Sequence, residues 1–224
     1  MGPAAGTVAD GAAASQWQGR PLRHDPATRR PRSAETRAKL LRSALRLFSE
    51  RGFHGAGTND IAGAAGLSGP SIYRHFASKE EILVAAVLEG SRRLGESTRE
   101  QPDDPDPVVA LEWLCRAFVA GAMEDPDLYC VYFYEARHVP PGAKASLEAS
   151  ARRYVAHYEG LVQRVAPTVP AAEVTARVQA AMHVVAGFCV DAPDALANGN
   201  GAMLTQRMLA VMLGEAGVPA PATP

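Results

Sequence analysis

The sequence predicts an all-α protein of about nine helices, with a small three-helix head carrying a helix-turn-helix and a larger helical body. Three observations predict it. Apolar residues recur at spacings of three and four along most of the chain, and no segment alternates with the period of two that a strand needs. Clusters of Pro, Gly and Asp interrupt these runs at residues 101–107, 139–143, 166–170 and 192–201. A chain of 224 residues, 47% of them hydrophobic, is long enough for one sizeable core plus a head, yet no apolar run reaches membrane-spanning length. A soluble, cytoplasmic protein with no membrane partner is expected. Helices are expected at about 34–51, 58–65, 69–75, 78–99, 107–123, 126–138, 143–165, 171–191 and 202–214.

The first of these places Leu40, Leu41, Ala44, Leu45 and Phe48 on one side and Arg37, Lys39, Arg42 and Arg46 elsewhere, the pattern of an amphipathic helix. Gly52 is its expected stop, with Phe53 packing back upon it. Residues 1–32, mostly Ala, Gly, Pro, Gln and Arg, have little to bury and are expected to form a disordered basic arm. No targeting segment is expected. The start lacks a basic flank followed by an apolar run, and Gly6 stands where a myristoylation signal requires Ser or Thr.

The stretch Thr58 to Phe76 reads as two short helices around a glycine turn. Thr58 is the expected cap of the first, with Ile61, Ala62 and Ala65 on its buried face. Gly66 can adopt the left-handed conformation that ends it, and Leu67 is the apolar residue that packs across such a turn. Ser68 as cap and Pro70 in the first turn start a second helix of about two turns. Ile72 and Phe76 are its buried pair, leaving Gly69, Ser71, Tyr73, Arg74 and His75 outward. Ser78-Lys79-Glu80-Glu81 then has the form of a capping box for the next helix.

Such a helix pair also occurs as a plain surface hairpin, so the charge distribution matters. Residues 20–79 carry 12 Lys and Arg against 4 Asp and Glu, a net of +8, whereas residues 80–224 carry 11 against 19, a net of −8. With Asp10 these give the whole-chain charge of −1. A basic segment bearing a helix-turn-helix is the footprint of a phosphate-binding module, while the acidic remainder repels DNA. By chemistry, Thr58, Tyr73, His75 and Lys79 are candidates to hold the DNA backbone. Ser68, Ser71 and Arg74 are candidates to read bases, Arg74 through the O6 and N7 edge of guanine. Arg29 to Arg32 form either an arm toward a DNA groove or a solvated basic tail.

Residues Ala34 to Leu83, above all Phe53 to Phe76 followed by Ser78-Lys79-Glu80-Glu81, resemble the amino-terminal domain of TetR-type (TetR/AcrR) transcriptional regulators. The resemblance implies a homodimer, formed through the last two helices, that binds a palindromic double-stranded DNA operator. It also implies repression relieved by a small hydrophobic effector held in the body. Thr58, Tyr73, His75 and Lys79 match the family's usual backbone contacts. The family often has an aromatic residue where this chain has Arg74 and a longer polar one where it has Gly69, so Gly69 is expected to approach DNA through its backbone alone. The corresponding division is an arm at 1–32, a DNA-binding domain at 33–80, an effector and dimerisation domain at 81–216 and a flexible tail at 217–224.

Within the body, Trp113, Phe118, Met123, Tyr129, Tyr132, Phe133 and Tyr134 crowd two consecutive helices together with Glu135, Arg137 and His138. Such a cluster is either core with a polar edge or the lining of an apolar pocket with a few orienting groups. The resemblance favours a pocket, with Trp113, Phe118, Tyr129, Phe133, Arg137, His138 and His183 as candidate ligand contacts. These residues suit a bulky apolar effector with a polar or anionic end. The eighth helix is rich in small residues (Ala172, Ala176, Ala180, Ala181, Ala186 and Gly187), and the ninth offers Met203, Leu204, Met208, Val211 and Met212. These faces pair within the subunit or with their copies in a dimer.

Catalysis finds no support in the residue pattern. Cys115, Cys130 and Cys189 are isolated thiols in apolar contexts, expected to be buried and reduced, and His183 and Cys189 lack the spacing of a facing pair. The six histidines form no zinc motif and no strand leads into a phosphate-binding loop, so neither metal nor cofactor is expected. The alternative to a regulator is a helical enzyme or small-molecule carrier without specific DNA binding.

Overall fold

Helix α1 (Arg30–Gly55) buries Leu40, Ala44, Leu45 and Phe48, the stripe expected from their spacing. Gly52 breaks its regular geometry at φ 71°, ψ 165°, a region open to glycine at little steric cost, and the break lets Phe53 fold back with its ring centroid 5.6 Å from that of Phe48. The computed structural model describes residues 30–103, 106–192 and 199–214, with side chains described from Ser33 onward. The expected arm up to residue 29 and the tail at 217–224 lie outside the described residues, whereas Arg30 to Arg32 already belong to α1.

Helix α2 (Thr58–Ala64) ends in a Schellman turn. Gly66 lies at φ 72°, the Leu67 amide donates to the Ala62 carbonyl at 2.9 Å and the Gly66 amide to that of Gly63 at 3.0 Å. Helix α3 (Gly69–Arg74) follows as a tightly wound 3₁₀ helix, not the two α-helical turns expected. Six residues between a glycine turn and the buried Phe76 leave little room for i to i+4 bonds. Helix α4 (Lys79–Arg99) starts with the Glu81 amide donating to the Ser78 hydroxyl at 3.2 Å. The Glu81 carboxylate reaches one residue further back than a strict capping box, accepting from the Ala77 amide at 2.6 Å.

The body comprises α5 (Pro107–Glu124), α6, α7 (Pro141–Val165), α8 (Ala171–Asp191) and α9 (Gly201–Leu213). Helix α6 changes pitch along its length. It begins as an α-helical turn at Pro126–Cys130, widens to a π segment at Val131–Glu135 and tightens to 3₁₀ at Ala136–His138. Among the described residues there is no strand, and no helix is long and apolar enough to cross a membrane.

Two apolar clusters organise the chain. The first joins Leu40, Phe48, Ile61, Ile72, Phe76, Ile82 and Leu83 and continues into Leu128, Val131 and Leu147 of α6 and α7. The second gathers Leu111, Leu114, Phe118, Tyr158, Val178, Val185, Met208 and Met212. Helix α4 belongs to both, with Ile82 and Leu83 in the first and Leu94 in the second, so any tilt of α4 moves the head. Leu204, Met208 and Met212 of α9 are fully buried against the subunit's own core, leaving Met203 and Arg207 on the helix's outer side. The thiols of Cys115, Cys130 and Cys189 are free and buried, and burial pushes that of Cys189 up to about 12.

Candidate nucleic-acid interface and effector cavity

The geometry of α3 separates anchoring residues from displayed ones. Ile72 and Phe76 are buried, with the Arg37 guanidinium 4.3 Å from the Phe76 ring centroid, while Ser68, Tyr73 and Arg74 are exposed. Tyr73 is 56% exposed although aromatic, a position that burial energetics do not favour. Its hydroxyl lies 3.2 Å from that of Thr58, which ties α3 to the start of α2. Thr58 is therefore not the helix cap expected. Gly57 occupies that position, and the Asp60 carboxylate accepts from its amide at 3.3 Å. The Ser68 hydroxyl makes no capping bond either; Ser71 donates to the Ser68 carbonyl at 2.6 Å instead.

Gly69 has a reason for being glycine that is visible only in three dimensions. A Cβ there would collide with the Asn59 side-chain carboxamide of α2, so a larger residue at this position would have to push the exposed Asn59 side chain aside. The His75 imidazole has a pKa below the ordinary histidine value, because it is partly buried and faces the cations of Arg37 and Arg74. Lys79 also has a partner within the head. Its ammonium donates to the Phe53 carbonyl at 2.8 Å and sits 4.5 Å from the Phe53 ring centroid, so it holds the end of α1 with one of its three N–H donors.

Phe53 is also the joint between head and body. Its amide donates to the buried Glu135 carboxylate at 2.8 Å, across 82 residues of sequence. His138 stacks on the Phe53 ring at 5.5 Å and meets His54 edge-on at 4.6 Å, with its Nε2 3.7 Å from Glu135. Of the candidate ligand contacts, His138 therefore lies in this joint. Its position nearly two turns from Tyr132 on an irregular helix obscures that in the sequence.

A cavity of about 410 Å³ opens between α4, α6, α7 and α8, within the usual size range of small-molecule pockets. Phe133, Arg137 and His183 line it; Trp113, Phe118, Tyr129 and His138 do not. Phe118 and Tyr129 form a layer behind Phe133, with the Phe118 centroid 5.1 Å from Tyr129 and 5.8 Å from Phe133, and half-buried Trp113 packs on the body core. The remaining walls come from Val87, Tyr132, Leu147, Tyr154 and Met182, and the polar groups from Lys144, Glu148 and Gln179. Apolar residues at helical spacing are expected to be buried, and nothing in such spacing distinguishes a cavity wall from a packed interior. Among the described residues no three His, Cys, Asp or Glu side chains are grouped to hold a metal ion.

Residues 40–86, which run from the core stripe of α1 through both reading helices into α4, match the family described as bacterial regulatory proteins, tetR family. The match covers the head and the start of α4, about a fifth of the chain. The HTH-type transcriptional activator FasR of Mycolicibacterium smegmatis is 46% identical to this chain over 53 residues, 24% of each protein. The match thus spans about a quarter of that relative's length. Among solved structures, the TetR-family regulator PfmR of Thermus thermophilus has the same fold, with a TM-score of 0.67 at 21% identity over 78% of this chain and 97% of that one. AibR, solved in complex with isovaleryl coenzyme A and operator DNA, aligns with a TM-score of 0.63 at 20% identity over 76% of this chain and 98% of that one. The sequence similarity is thus concentrated in the head, and the body is similar to these structures in fold.

Two outcomes follow from the head. Because phosphate favours the charged imidazole, DNA binding should raise the pKa of His75 from below about 6.5 and take up a proton. Affinity for DNA should then strengthen as pH falls from neutrality through that window, and His75→Gln should flatten the dependence; identical pH profiles for both proteins would refute the contact. Glu135→Ala strands the buried Phe53 amide, at a cost of about 1–3 kcal/mol. Hydrogen exchange at Phe53 and its neighbours should accelerate more than exchange in α8, and unchanged protection would show that the joint does not depend on this bond.

Proposed function

We propose that the protein is a cytoplasmic transcriptional repressor that binds a palindromic operator as a homodimer and leaves it when a small, largely hydrophobic effector occupies the cavity. The carrying observation is the face of α3, where Ser68, Tyr73 and Arg74 are exposed while Ile72 and Phe76 lock the helix to its support. That arrangement suits the major groove, with Thr58, Tyr73 and His75 toward phosphates and Ser68, Ser71 and Arg74 toward base edges. The α3 backbone at Gly69 lies on the same surface. Operator DNA and a small-molecule thioester are bound together by AibR, which has the same fold, and this supports an effector-controlled reading of both sites.

A dimer is supported by α8 and α9. Ala172, Ala176 and Ala180 repeat every fourth residue on the outer side of α8, followed by Val184 at 40% exposure, and Met203 of α9 is 42% exposed. A stripe of small and apolar residues lets a second copy of the helix approach closely. Two reading helices about 34–36 Å apart would then address successive major grooves. Release requires the effector to prefer the DNA-incompetent state, since equal binding to both states shifts nothing. Two contacts can carry that preference: Tyr132 against α4 at Gly90, and Glu135 against Phe53.

The DNA reading is tested by titrating the protein into a labelled duplex from immediately upstream of its own gene, with a scrambled duplex as control, at two salt concentrations. Preference for the upstream duplex that survives the higher salt is expected, and Arg74→Ala should reduce the preference by about 1–3 kcal/mol. Equal loss of affinity for both duplexes would make Arg74 a phosphate contact, and absence of binding would favour a ligand carrier or enzyme. For the interface, Ala180→Arg should convert a dimeric mass in sedimentation to a monomeric one and abolish specific binding. A wild-type monomer at micromolar concentration would overturn the homodimer.

A further inference from the structure

Tyr132 and Tyr154 line a second cavity as well as the first. It measures about 590 Å³ and lies between α4 and α7, with Arg92, Arg99, Arg153 and His157 among its lining residues and no Asp or Glu. Composition alone argues against such a place, since residues 80–224 carry 19 acids against 11 Lys and Arg. Arg92 is neutralised by Glu89 at 2.7 Å and Glu96 at 2.6 Å. Arg99 and Arg153 are exposed at the rim, and neither has a carboxylate partner among the described residues. Arg153 donates only to the Ser150 hydroxyl at 2.9 Å, and the His157 Nε2 lies 2.6 Å from the Gln101 side-chain oxygen.

The two cavities differ in chemistry across a shared wall. In the first, Lys144 has Glu148 at 3.8 Å, and the surroundings are mostly aliphatic and aromatic. The second offers two guanidiniums without a carboxylate partner among the described residues, each a planar fork of N–H donors that matches the oxygens of a phosphate in pairs. A single carboxylate would occupy one fork and leave the other charge uncompensated. Tyr132 and Tyr154 border both spaces, and a Cβ at Gly90 would come within 2.8 Å of the Tyr132 ring, so that ring lies directly against α4. Tyr154 is held from behind by the Tyr158 hydroxyl at 2.9 Å.

We infer that the effector is an amphipathic anion that spans both cavities. Its apolar body fills the space beside Phe133, Leu147 and Met182, and a multiply charged phosphate-type head lies between Arg99 and Arg153. The inference rests on the effector-controlled reading above and specifies the chemical class of ligand. The head passes Tyr132 and Tyr154, so occupancy of the second cavity bears on α4, the helix that carries the reading head.

The experiment uses the full-length protein and displacement of the neutral dye Nile red by decyl phosphate, decanoate and decanol, each below its aggregation concentration. Decyl phosphate should bind about tenfold or more tightly than decanol, with decanoate closer to decanol. The double variant Arg99→Gln/Arg153→Gln should lose that advantage and keep its decanol affinity and melting temperature, since both side chains are exposed and without carboxylate partners among the described residues. Equal binding of decyl phosphate and decanol by the wild-type protein, or an unchanged advantage in the double variant, would overturn the assignment of the head. Displacement by none of the three would instead remove the effector cavity itself, and this inference with it. Phosphatidylcholine vesicles containing phosphatidate distinguish the source: no co-sedimentation is expected, and co-sedimentation lost in the double variant would overturn a soluble ligand in favour of a membrane headgroup.

Discussion

The buried bond from the Phe53 amide to the Glu135 carboxylate is the constraint on which the arrangement of head and body depends. A carboxylate out of water is costly unless it is well partnered, and Glu135 is compensated by an amide of the head together with His138 and Arg137 at 3.7 Å. The same Phe53 receives Lys79 on its carbonyl and on its ring face. One residue thus joins the end of α1, the start of α4 and the irregular part of α6. The left-handed break at Gly52 presents the Phe53 amide to Glu135, because a continued helix would have used that amide internally.

The head can display polar side chains because its own cohesion is assigned to other residues. Ile61, Ile72 and Phe76 supply the packing, the Schellman turn at Gly66 sets the angle between α2 and α3, and the Thr58–Tyr73 contact braces them on the outside. Arg74 and Ser68 make no contribution to this framework that their replacement would remove. That separation allows sequence preference to change without unfolding the domain.

In the body, the cavity walls and the head joint are built on one short helix. Tyr132, Phe133 and Arg137 line the cavity, and Glu135 and His138 contact the head. The π segment at Val131–Glu135 makes this possible, since an extra residue in the turn changes which side chains share a face. A ligand that shifts α6 or presses Tyr132 toward α4 therefore acts on both supports of the head. A near-complete switch from one state to the other requires a preference of about 5.5 kcal/mol between them, which is more than one weak contact supplies. Burial of an apolar body together with pairing of a charged head could provide it.

Local patterns in the sequence determined the all-helical class, the positions of the helices, the glycine turn at Gly66, the stripe of α1 and the buried pair Ile72 and Phe76. Each depends on residues within a few positions of one another, where periodicity and turn chemistry act directly. The exposed face of α3 was legible for the same reason. Tertiary structure alone decided that Thr58 bonds Tyr73 instead of capping α2, that Gly69 makes room for Asn59, and that Lys79 and Glu135 meet at Phe53. It also decided which aromatic residues of the body form the cavity wall and which stand behind it. These contacts join residues 10 to 82 positions apart, and hydrophobicity at helical spacing records only that a side chain is buried, not what it is buried against.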